Sequence, residues 1–185
     1  MKKLSLSLLL FLGTSYVSAA EMNLHKNIYV GVGGSFMATG SRDDVNVFKT
    51  QDSQERAVGA TLIVGYSIRS FLDIEARYSQ SVSDDDEFEQ KIWGVYLKPK
   101  YELFNNFSIY GLYGVGGVDI SPNSSNEDFS VTDMSFGAGI KYKITPNISL
   151  FADYIDNARH NYEEFDGEMQ QVDTRSLTTG VIYNF

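Results

Sequence analysis

The segment Thr174–Phe185 is the stretch that most constrains how this chain can fold. Its alternate residues divide into two faces, as in a β-strand. One face becomes apolar and then aromatic, at Val181, Tyr183 and Phe185, while the other stays small and mostly polar, as at Ser176. A closed membrane barrel needs such a strand, because every backbone group inside a bilayer must be paired. The final strand of a soluble sheet is the alternative for this segment alone.

The same alternation of apolar and small or polar residues recurs along the whole chain. We predict an all-β fold of eight strands, most of them about 10–13 residues long, which is enough to cross a bilayer at a tilt. The architecture predicted is an eight-stranded antiparallel up-and-down transmembrane β-barrel. The predicted strands cover residues 27–38, 56–68, 72–79, 92–101, 107–117, 134–143, 148–155 and 174–185.

The connections between these strands alternate between long polar segments and short turns. An outer-membrane barrel has this asymmetry, with short periplasmic turns and long external loops. A soluble eight-stranded barrel such as a lipocalin has its apolar faces inward, and alternation alone does not separate the two. The predicted loops are Thr39–Gln54, Ser81–Glu89, Asp119–Asp128 and Asp156–Gln171, and the predicted turns are Arg69-Ser70, Asn105-Asn106 and Thr145–Asn147.

The amino terminus has the pattern of an export signal. Lys2 and Lys3 precede the apolar run Leu4–Phe11, and small residues at Ser18–Ala20 suit cleavage before Glu21. The run is too short to span a bilayer as a helix. We therefore predict a cleaved signal peptide over residues 1–20, a barrel over residues 21–185, and a location in the outer membrane of a Gram-negative bacterium.

Composition supports a barrel and excludes several other classes of protein. The chain has 12 Tyr, 12 Phe and 16 Gly but only 3 Pro and no Cys, which suits many short paired strands. Without residues 1–20 it carries 13 basic and 24 acidic residues, a net charge of −11. A surface this acidic argues against nucleic acid as a partner. No later stretch is long and apolar enough for a spanning helix.

Charged residues occur in mid-strand on the face opposite the apolar one. An eight-stranded barrel is just wide enough for side chains to fill it, and charges there must pair or be hydrated. We predict a network of ion pairs that fills the lumen, with Glu75 and Lys98 as the preferred pair; a narrow ion path is the alternative. The predicted network comprises Glu75, Arg77, Lys98, Lys100, Lys141, Lys143 and Asp153.

Aromatic residues cluster close to the predicted turns and, in a smaller set, toward the predicted loops. Tyr and Trp prefer the two interfaces of a membrane, so the clusters predict an aromatic girdle at each interface. The girdle residues predicted are Tyr66, Phe71, Trp93, Tyr101, Phe107 and Tyr142.

Other polar motifs give no sign of catalysis or of a metal centre. The acidic run Asp84–Glu87 lacks the spacing and glycine of an EF-hand loop, so we predict no metal site. A His–Ser pair would be needed for an acyl hydrolase; His25 and His160 are the only histidines, and Ser149 and Ser176 are the nearest candidates to His160. We therefore predict no catalytic residue, no cofactor and no enzymatic activity.

The segment Phe136–Tyr154 and the ending Tyr183-Asn184-Phe185 resemble the small outer-membrane β-barrel superfamily. This group includes OmpA transmembrane domains, OmpX and opacity-type porin-family proteins. The resemblance implies that Tyr183 and Phe185 are the signal recognised by the barrel assembly machinery. It also implies contact with outer-membrane lipid and lipopolysaccharide, and an external protein or host surface as a further partner.

The sequence thus predicts a structural or surface-exposed outer-membrane protein with four long acidic external loops and a lumen filled by polar side chains. A small pore for ions or small solutes is the alternative function. An outer-membrane lipid-modifying enzyme is the third and least favoured hypothesis.

Overall fold

The computed structural model describes residues 27–41, 47, 54–82, 88–122, 129–165 and 168–185. In these ranges the chain forms a closed barrel of eight antiparallel strands in sequential order, which confirms the predicted fold class. The predicted signal peptide, His25 and Asp84–Glu87 lie outside the described residues. The strands are β1 (Ile28–Ser41), β2 (Gln54–Arg69), β3 (Leu72–Ser81), β4 (Phe88–Phe104), β5 (Phe107–Pro122), β6 (Phe129–Lys143), β7 (Ile148–Phe165) and β8 (Glu168–Asn184).

The barrel closes between the first strand and the last. β1 pairs with β8 from Tyr29↔Asn184 to Ser41↔Val172, and the Phe185 N–H donates to the Ile28 carbonyl over 3.2 Å. Closure pairs the backbone groups that would otherwise form two open edges. The segment Thr174–Phe185 is therefore one side of this seam.

Side chains alternate between the lumen and the outer surface along the middle of the strands. On β2, for example, Leu62 and Val64 are more than half exposed while Ile63 is only 1% exposed. Large apolar side chains such as Val95, Tyr113 and Phe136 continue this exposed belt around the barrel. An apolar surface of this extent is matched by a hydrocarbon environment and not by water. None of the described residues forms a helix with the length and apolarity to cross a membrane.

The expected loop over Asp156–Gln171 is wrong, because most of this segment is strand. β7 continues to Phe165, β8 begins at Glu168, and the two remain paired as far as Phe165↔Glu168. The residues here are polar on both faces, so the two-residue apolar period disappears although the backbone pairing continues. Strands also take residues from the other predicted loops, since β1 reaches Ser41 and β5 reaches Pro122.

The outer part of the β7–β8 pair projects beyond its neighbours in the barrel wall. β7 pairs with β6 only as far as Phe136↔Asp156, and the pairing of β8 with β1 stops at Ser41↔Val172. Two irregularities in β7, between Asp156 and Asn161, lie where it leaves β6, and such bulges bend a strand. We call residues 157–165 and 168–171 the protruding hairpin.

Candidate functional site

The lumen is filled by side chains from all eight strands, and its middle is a layer of buried charges. Arg77 and Glu75 of β3, Lys98 of β4 and Asp153 of β7 are each at most 7% exposed. We call these four residues the charge layer. β3 and β7 lie on opposite sides of an eight-stranded barrel in which the strands follow one another in order.

Arg77 spans the lumen and joins the two carboxylates of the charge layer. Its Nη1 and Nη2 donate to Asp153 Oδ1 and Oδ2 over 2.8 and 2.7 Å, and its Nε donates to Glu75 Oε1 over 2.5 Å. The guanidinium fork matches a carboxylate in this two-pronged geometry, which is stronger and more directional than a single contact. Arg77 is thus fixed at both ends.

Lys98 is the second cation that contacts Glu75. Its Nζ donates to Glu75 Oε2 over 2.7 Å, which is the pair expected from the sequence. Lys98 pairs with Asp73 in the strand register. Its side chain therefore contacts Glu75, the next inward residue of β3, along the diagonal between the strands. Lys100 repeats this diagonal and donates to Asp73 over 2.5 Å. Two lysines of β4 therefore lean in the same direction along β3.

Two tyrosines from opposite strands supply the remaining hydrogen bonds of the carboxylates. The Tyr29 hydroxyl on β1 donates to Glu75 Oε2 and the Tyr110 hydroxyl on β5 donates to Asp153 Oδ2, each over 2.7 Å. Lys98 Nζ also lies 4.1 Å from the centre of the Tyr110 ring, a cation–π contact. Each buried carboxylate thus has a cation and a phenol as partners, as buried charge requires.

Both tyrosine rings lie over a glycine of the neighbouring strand. Tyr29 pairs with Gly65 and Tyr110 with Gly139 in the strand registers. A Cβ atom on Gly65 would lie 2.0 Å from Tyr29 Cζ, and one on Gly139 would lie 2.5 Å from Tyr110 Cζ. Glycine is therefore required at these inward positions because the ring occupies the space of a side chain.

A layer of hydroxyl groups adjoins the charge layer toward the protruding hairpin. Ser35 of β1 bonds to both Thr61 and Thr178, the latter over 2.9 Å, and Thr61 bonds to Ser79 over 2.7 Å. Next to Thr178 on β8, the Asn157 amide donates to Ser176 Oγ over 2.9 Å. These buried polar groups satisfy one another within the lumen.

An apolar cluster lies in the lumen beyond the hydroxyl layer. Met37, Ala57, Ile92, Val118 and Val131 form it, and none is more than 8% exposed. The sequence predicts a polar lumen and misses this cluster, because its members occur singly on five inward faces that are otherwise polar. Buried polar groups adjoin this cluster, since Gln90 donates to Thr39 over 2.8 Å and Thr39 bonds to Thr174 over 3.0 Å.

The cavities beside the charge layer are too small for a pore. One lies among Thr61, Arg77 and Ser79, the other among Asp73, Lys98 and Lys141 in the half with the short turns. Each has a volume of about 10 Å³, roughly the space of one water molecule. Neither of these two cavities is wide enough to form a solvent-filled channel past the charge layer.

The predicted network includes three lysines that lie outside the charge layer: Lys100, which pairs with Asp73, and Lys141 and Lys143. Lys141 is half-buried near the short-turn end, and Lys143 is exposed at the last position of β6. Among the described residues no ion pair includes Lys141 or Lys143. Lys141 and Lys143 both have the inward parity of β6, which is why the sequence places them in the lumen. Parity does not show where along the strand the lumen ends.

The predicted girdle residues within strands have outward parity, whereas Phe71 lies in the β2–β3 turn. Phe71, Trp93, Tyr101 and Tyr142 are exposed, whereas Tyr66 and Phe107 are half-buried. Tyr183 and Phe185, the predicted assembly signal, are also exposed, and their rings meet edge to face at 5.2 Å.

The residues considered for catalysis do not assemble into a site. Ser149 lies near the start of β7, eleven positions from His160, so the two are roughly 36 Å apart along the strand. The Ser176 hydroxyl is held by Asn157 within the lumen. The described residues contain no group of three or more metal-ligating side chains.

Sequence reasoning missed the two tyrosines and Asp73 of the lumen. Tyr29 and Tyr110 lie on the inward face in the predicted strands, but that parity is shared with many small residues. The signal that identifies them is a large aromatic residue whose cross-strand neighbour is glycine, and that signal requires the register between strands.

An eight-stranded closed barrel with an apolar outer belt and a lumen filled by side chains defines a small outer-membrane β-barrel protein. The model of the family described as the outer membrane protein beta-barrel domain matches residues 6–185. The chain belongs to this family, which confirms the resemblance noted in the sequence. No curated protein sequence matches the chain.

Several solved barrels have a similar fold. Neisserial surface protein A is 18% identical, with a TM-score of 0.62, covering 85% of this chain and 97% of its own. Ail, the attachment invasion locus protein of Yersinia pestis, is 18% identical with a TM-score of 0.56, covering 86% of this chain and 99% of its own. The N-terminal barrel of Pseudomonas aeruginosa OprF is 14% identical with a TM-score of 0.53, covering 83% and 97%. Ail is also known in complex with the heparin analogue sucrose octasulfate.

Proposed function

We propose that this chain is a non-conducting, surface-exposed protein of the Gram-negative outer membrane, exported by its signal peptide, that acts through its external end. The observation that carries this proposal is the charge layer. Arg77 reaches from β3 to Asp153 on β7 and fills the width of the lumen at that level. With the lumen filled, the parts of the barrel that remain available for a function are its rim and its outer wall.

The protruding hairpin supports a role in binding at the external rim. No strand of the described barrel pairs with the outer backbone edge of either strand of this hairpin. The β6 residues beside it, Phe129–Ser135, pair with β5 but not with β7. Nine residues of β7 beyond Asp156 extend roughly 30 Å at the usual rise of a strand. Unpaired strand edges accept an extended segment of another protein as an additional strand.

The charge balance narrows the kind of external partner. The sequence without its first 20 residues has a net charge of −11, which disfavours a polyanion of the kind bound by Ail. We propose that the partner is an external protein or host surface that is neutral or basic. Contact with outer-membrane lipid and lipopolysaccharide, assembly through Tyr183 and Phe185, and the absence of an enzymatic role are parts of the same proposal.

Conductance in planar lipid bilayers tests the closed lumen. We expect no current above background for the wild-type barrel. A conducting porin reconstituted into the same bilayers is the control that current is detectable in this preparation. A steady ohmic conductance of the wild type would instead support the alternative of a small pore.

Labelling of introduced cysteines tests the orientation. The chain has no cysteine, so Val82→Cys beyond β3 and Asn106→Cys in the β4–β5 turn are clean probes. Both positions are exposed and lie at opposite ends of the barrel. In intact cells a membrane-impermeant maleimide is expected to label Val82→Cys and not Asn106→Cys. The reverse pattern would refute the proposed orientation.

A further inference from the structure

The charged side chains of inward parity do not balance at the short-turn end of the lumen. The two lysines of β4 at this end, Lys98 and Lys100, are each paired with a carboxylate of β3. Lys141 and Lys143 of β6 also have inward parity, and neither belongs to an ion pair of the described residues. The mouth of the lumen at this end therefore carries two further ammonium groups.

One acidic residue near the end of β4 could offset part of this charge. Glu102 pairs in the strand register with Ser108, and Ser108 pairs with Lys141, so Glu102 lies two strands away from that lysine. Glu102 is exposed and belongs to no ion pair of the described residues. A single exposed carboxylate against two ammonium groups leaves an excess of positive charge at the mouth.

A buried hydroxyl group without a partner lies beside these two lysines. Ser149 of β7 pairs directly with Lys143 in the strand register, and Lys141 is its diagonal neighbour on β6. Side chains directly opposite each other have Cβ atoms about 4.5–5.5 Å apart, and a lysine also reaches along the diagonal. Ser149 is 1% exposed, and its Oγ has no hydrogen-bond partner among the described residues. A buried hydroxyl in this state costs free energy that a hydrogen-bond acceptor removes.

We propose that Lys141, Lys143 and Ser149 bind a phosphate group at the short-turn mouth of the lumen. The two ammonium groups and the hydroxyl donate to three oxygen atoms of the phosphate, and lysine is a common phosphate ligand that acts as a point charge. A phosphate monoester carries a charge of about −1.5 to −2 at pH 7, which matches the charge of two lysines. The phosphate also accepts the one hydrogen bond that the buried hydroxyl lacks.

The phosphate group lies at the mouth and not deeper in the lumen. The cavity beside Asp73, Lys98 and Lys141 has a volume of about 10 Å³, roughly the space of one water molecule. Lys143 is exposed at the last position of β6, so the site opens to solvent. It therefore accepts either free phosphate or a phosphate ester at the end of a larger molecule. The orientation proposed above determines only that the periplasm supplies this phosphate.

Isothermal titration calorimetry of the barrel in an uncharged detergent, at constant ionic strength, tests the site. The probes are inorganic phosphate, glycerol 3-phosphate and chloride. The wild type is expected to bind one phosphate per barrel and to show no saturable binding of chloride. Lys141→Gln and Ser149→Ala are each expected to weaken the phosphate affinity by about tenfold or more, because each removes a hydrogen bond to a charged group. Lys143→Gln is expected to weaken it by about threefold, since an exposed charge contributes less.

Lys91→Gln is the matched control, because it removes the same charge near the opposite end of β4. It is expected to bind phosphate as the wild type does, and a heat-dependent gel shift confirms that each variant is folded. Equal losses of affinity in Lys91→Gln and Lys141→Gln would overturn the site, since net charge alone would then account for binding. An unchanged affinity in Ser149→Ala would overturn the hydroxyl contact.

The three probes separate the class of anion and its source. Saturable binding of chloride as tight as that of phosphate would overturn the assignment to phosphate, as would the absence of phosphate binding by the wild type. Glycerol 3-phosphate that binds as tightly as inorganic phosphate assigns the site to phosphate esters, whereas binding of inorganic phosphate alone assigns it to the free ion. Because both ends of the barrel are accessible in detergent, these results do not depend on the cysteine labelling or on the conductance.

Discussion

Arg77 on β3 and Asp153 on β7 form two parallel hydrogen bonds of 2.8 and 2.7 Å across the lumen. They are not neighbours in the sheet, so this contact joins opposite sides of the wall. The backbone hydrogen bonds of the barrel wall, in contrast, join adjacent strands only. The pair therefore acts as a brace across the lumen, and its loss affects the wall as well as the charge balance.

We expect Arg77→Met to destabilise the barrel by about 3–5 kcal/mol, because Asp153 loses its only described cationic partner and Glu75 loses one of two. The measurement is equilibrium urea unfolding in lipid vesicles, followed by the fluorescence of Trp93, the chain's single tryptophan. The double variant Arg77→Met, Asp153→Leu removes both charges of the brace and is expected to recover most of the loss. A double variant as unstable as Arg77→Met would contradict this account.

Gly65→Ala tests the packing of Tyr29 on its neighbouring strand. The new Cβ would lie 2.0 Å from the ring, so the ring must shift and its bond to Glu75 lengthens. We expect a cost of about 1–3 kcal/mol, the usual range for overpacking. Gly34→Ala is the matched control, because a Cβ there meets nothing within 4 Å. Equal unfolding midpoints for the two variants would show that the ring does not need this space.

Lys98→Met and Lys143→Met separate a buried charge from an exposed one. Lys98 is 1% exposed and bonded to Glu75, whereas Lys143 is exposed with no described ion pair. We expect Lys98→Met to lower the urea midpoint clearly, since Glu75 keeps only Arg77 as its cation, and Lys143→Met to leave it unchanged. A loss of stability in Lys143→Met equal to that in Lys98→Met would place Lys143 inside the network.

Leu62→Lys and Val82→Lys test the membrane belt against the alternative of a soluble barrel. The two side chains are similarly exposed, at 55% and 63%, but Leu62 is in mid-strand and Val82 follows the end of β3. A lysine at the midplane of the bilayer costs about 2–4 kcal/mol, against about 0–1 kcal/mol near an interface. Unfolding from vesicles measures the difference. Equal and small costs would mean that the exposed belt does not face hydrocarbon.

The wall of the barrel could be predicted from the sequence because burial on one face imposes a two-residue period. Leu62 and Ile63 are both apolar, but Leu62 is exposed and Ile63 is buried. The two-residue period still assigns Leu62 to the outer face and Ile63 to the lumen, because the neighbouring residues on each face follow the same alternation. The same period fails beyond Asp156, where neither set of alternate residues is consistently apolar. The extent of the protruding hairpin therefore could not be predicted from the period.

The contents of the lumen were harder to predict, because an inward position does not specify a partner. Glu75 and Lys98 could be anticipated from their neighbouring strands, but Arg77 and Asp153 are four strands apart. Their contact depends on the diameter of the closed barrel and on the length of the arginine side chain. Tyr29 and Tyr110 require the register as well, because each needs a glycine on the adjacent strand.

The seam between β1 and β8 has a consequence for the order in which the barrel assembles. Tyr29 and Ile182, one from each side of the seam, pack together with Ile63 and Phe151, and Tyr29 also holds Glu75. This cluster is complete only when the last strand meets the first, whereas the cations that contact Glu75 come from β3 and β4 and do not depend on the seam. The phenol of Tyr29 is therefore the partner of Glu75 whose packing is fixed last, when the wall closes.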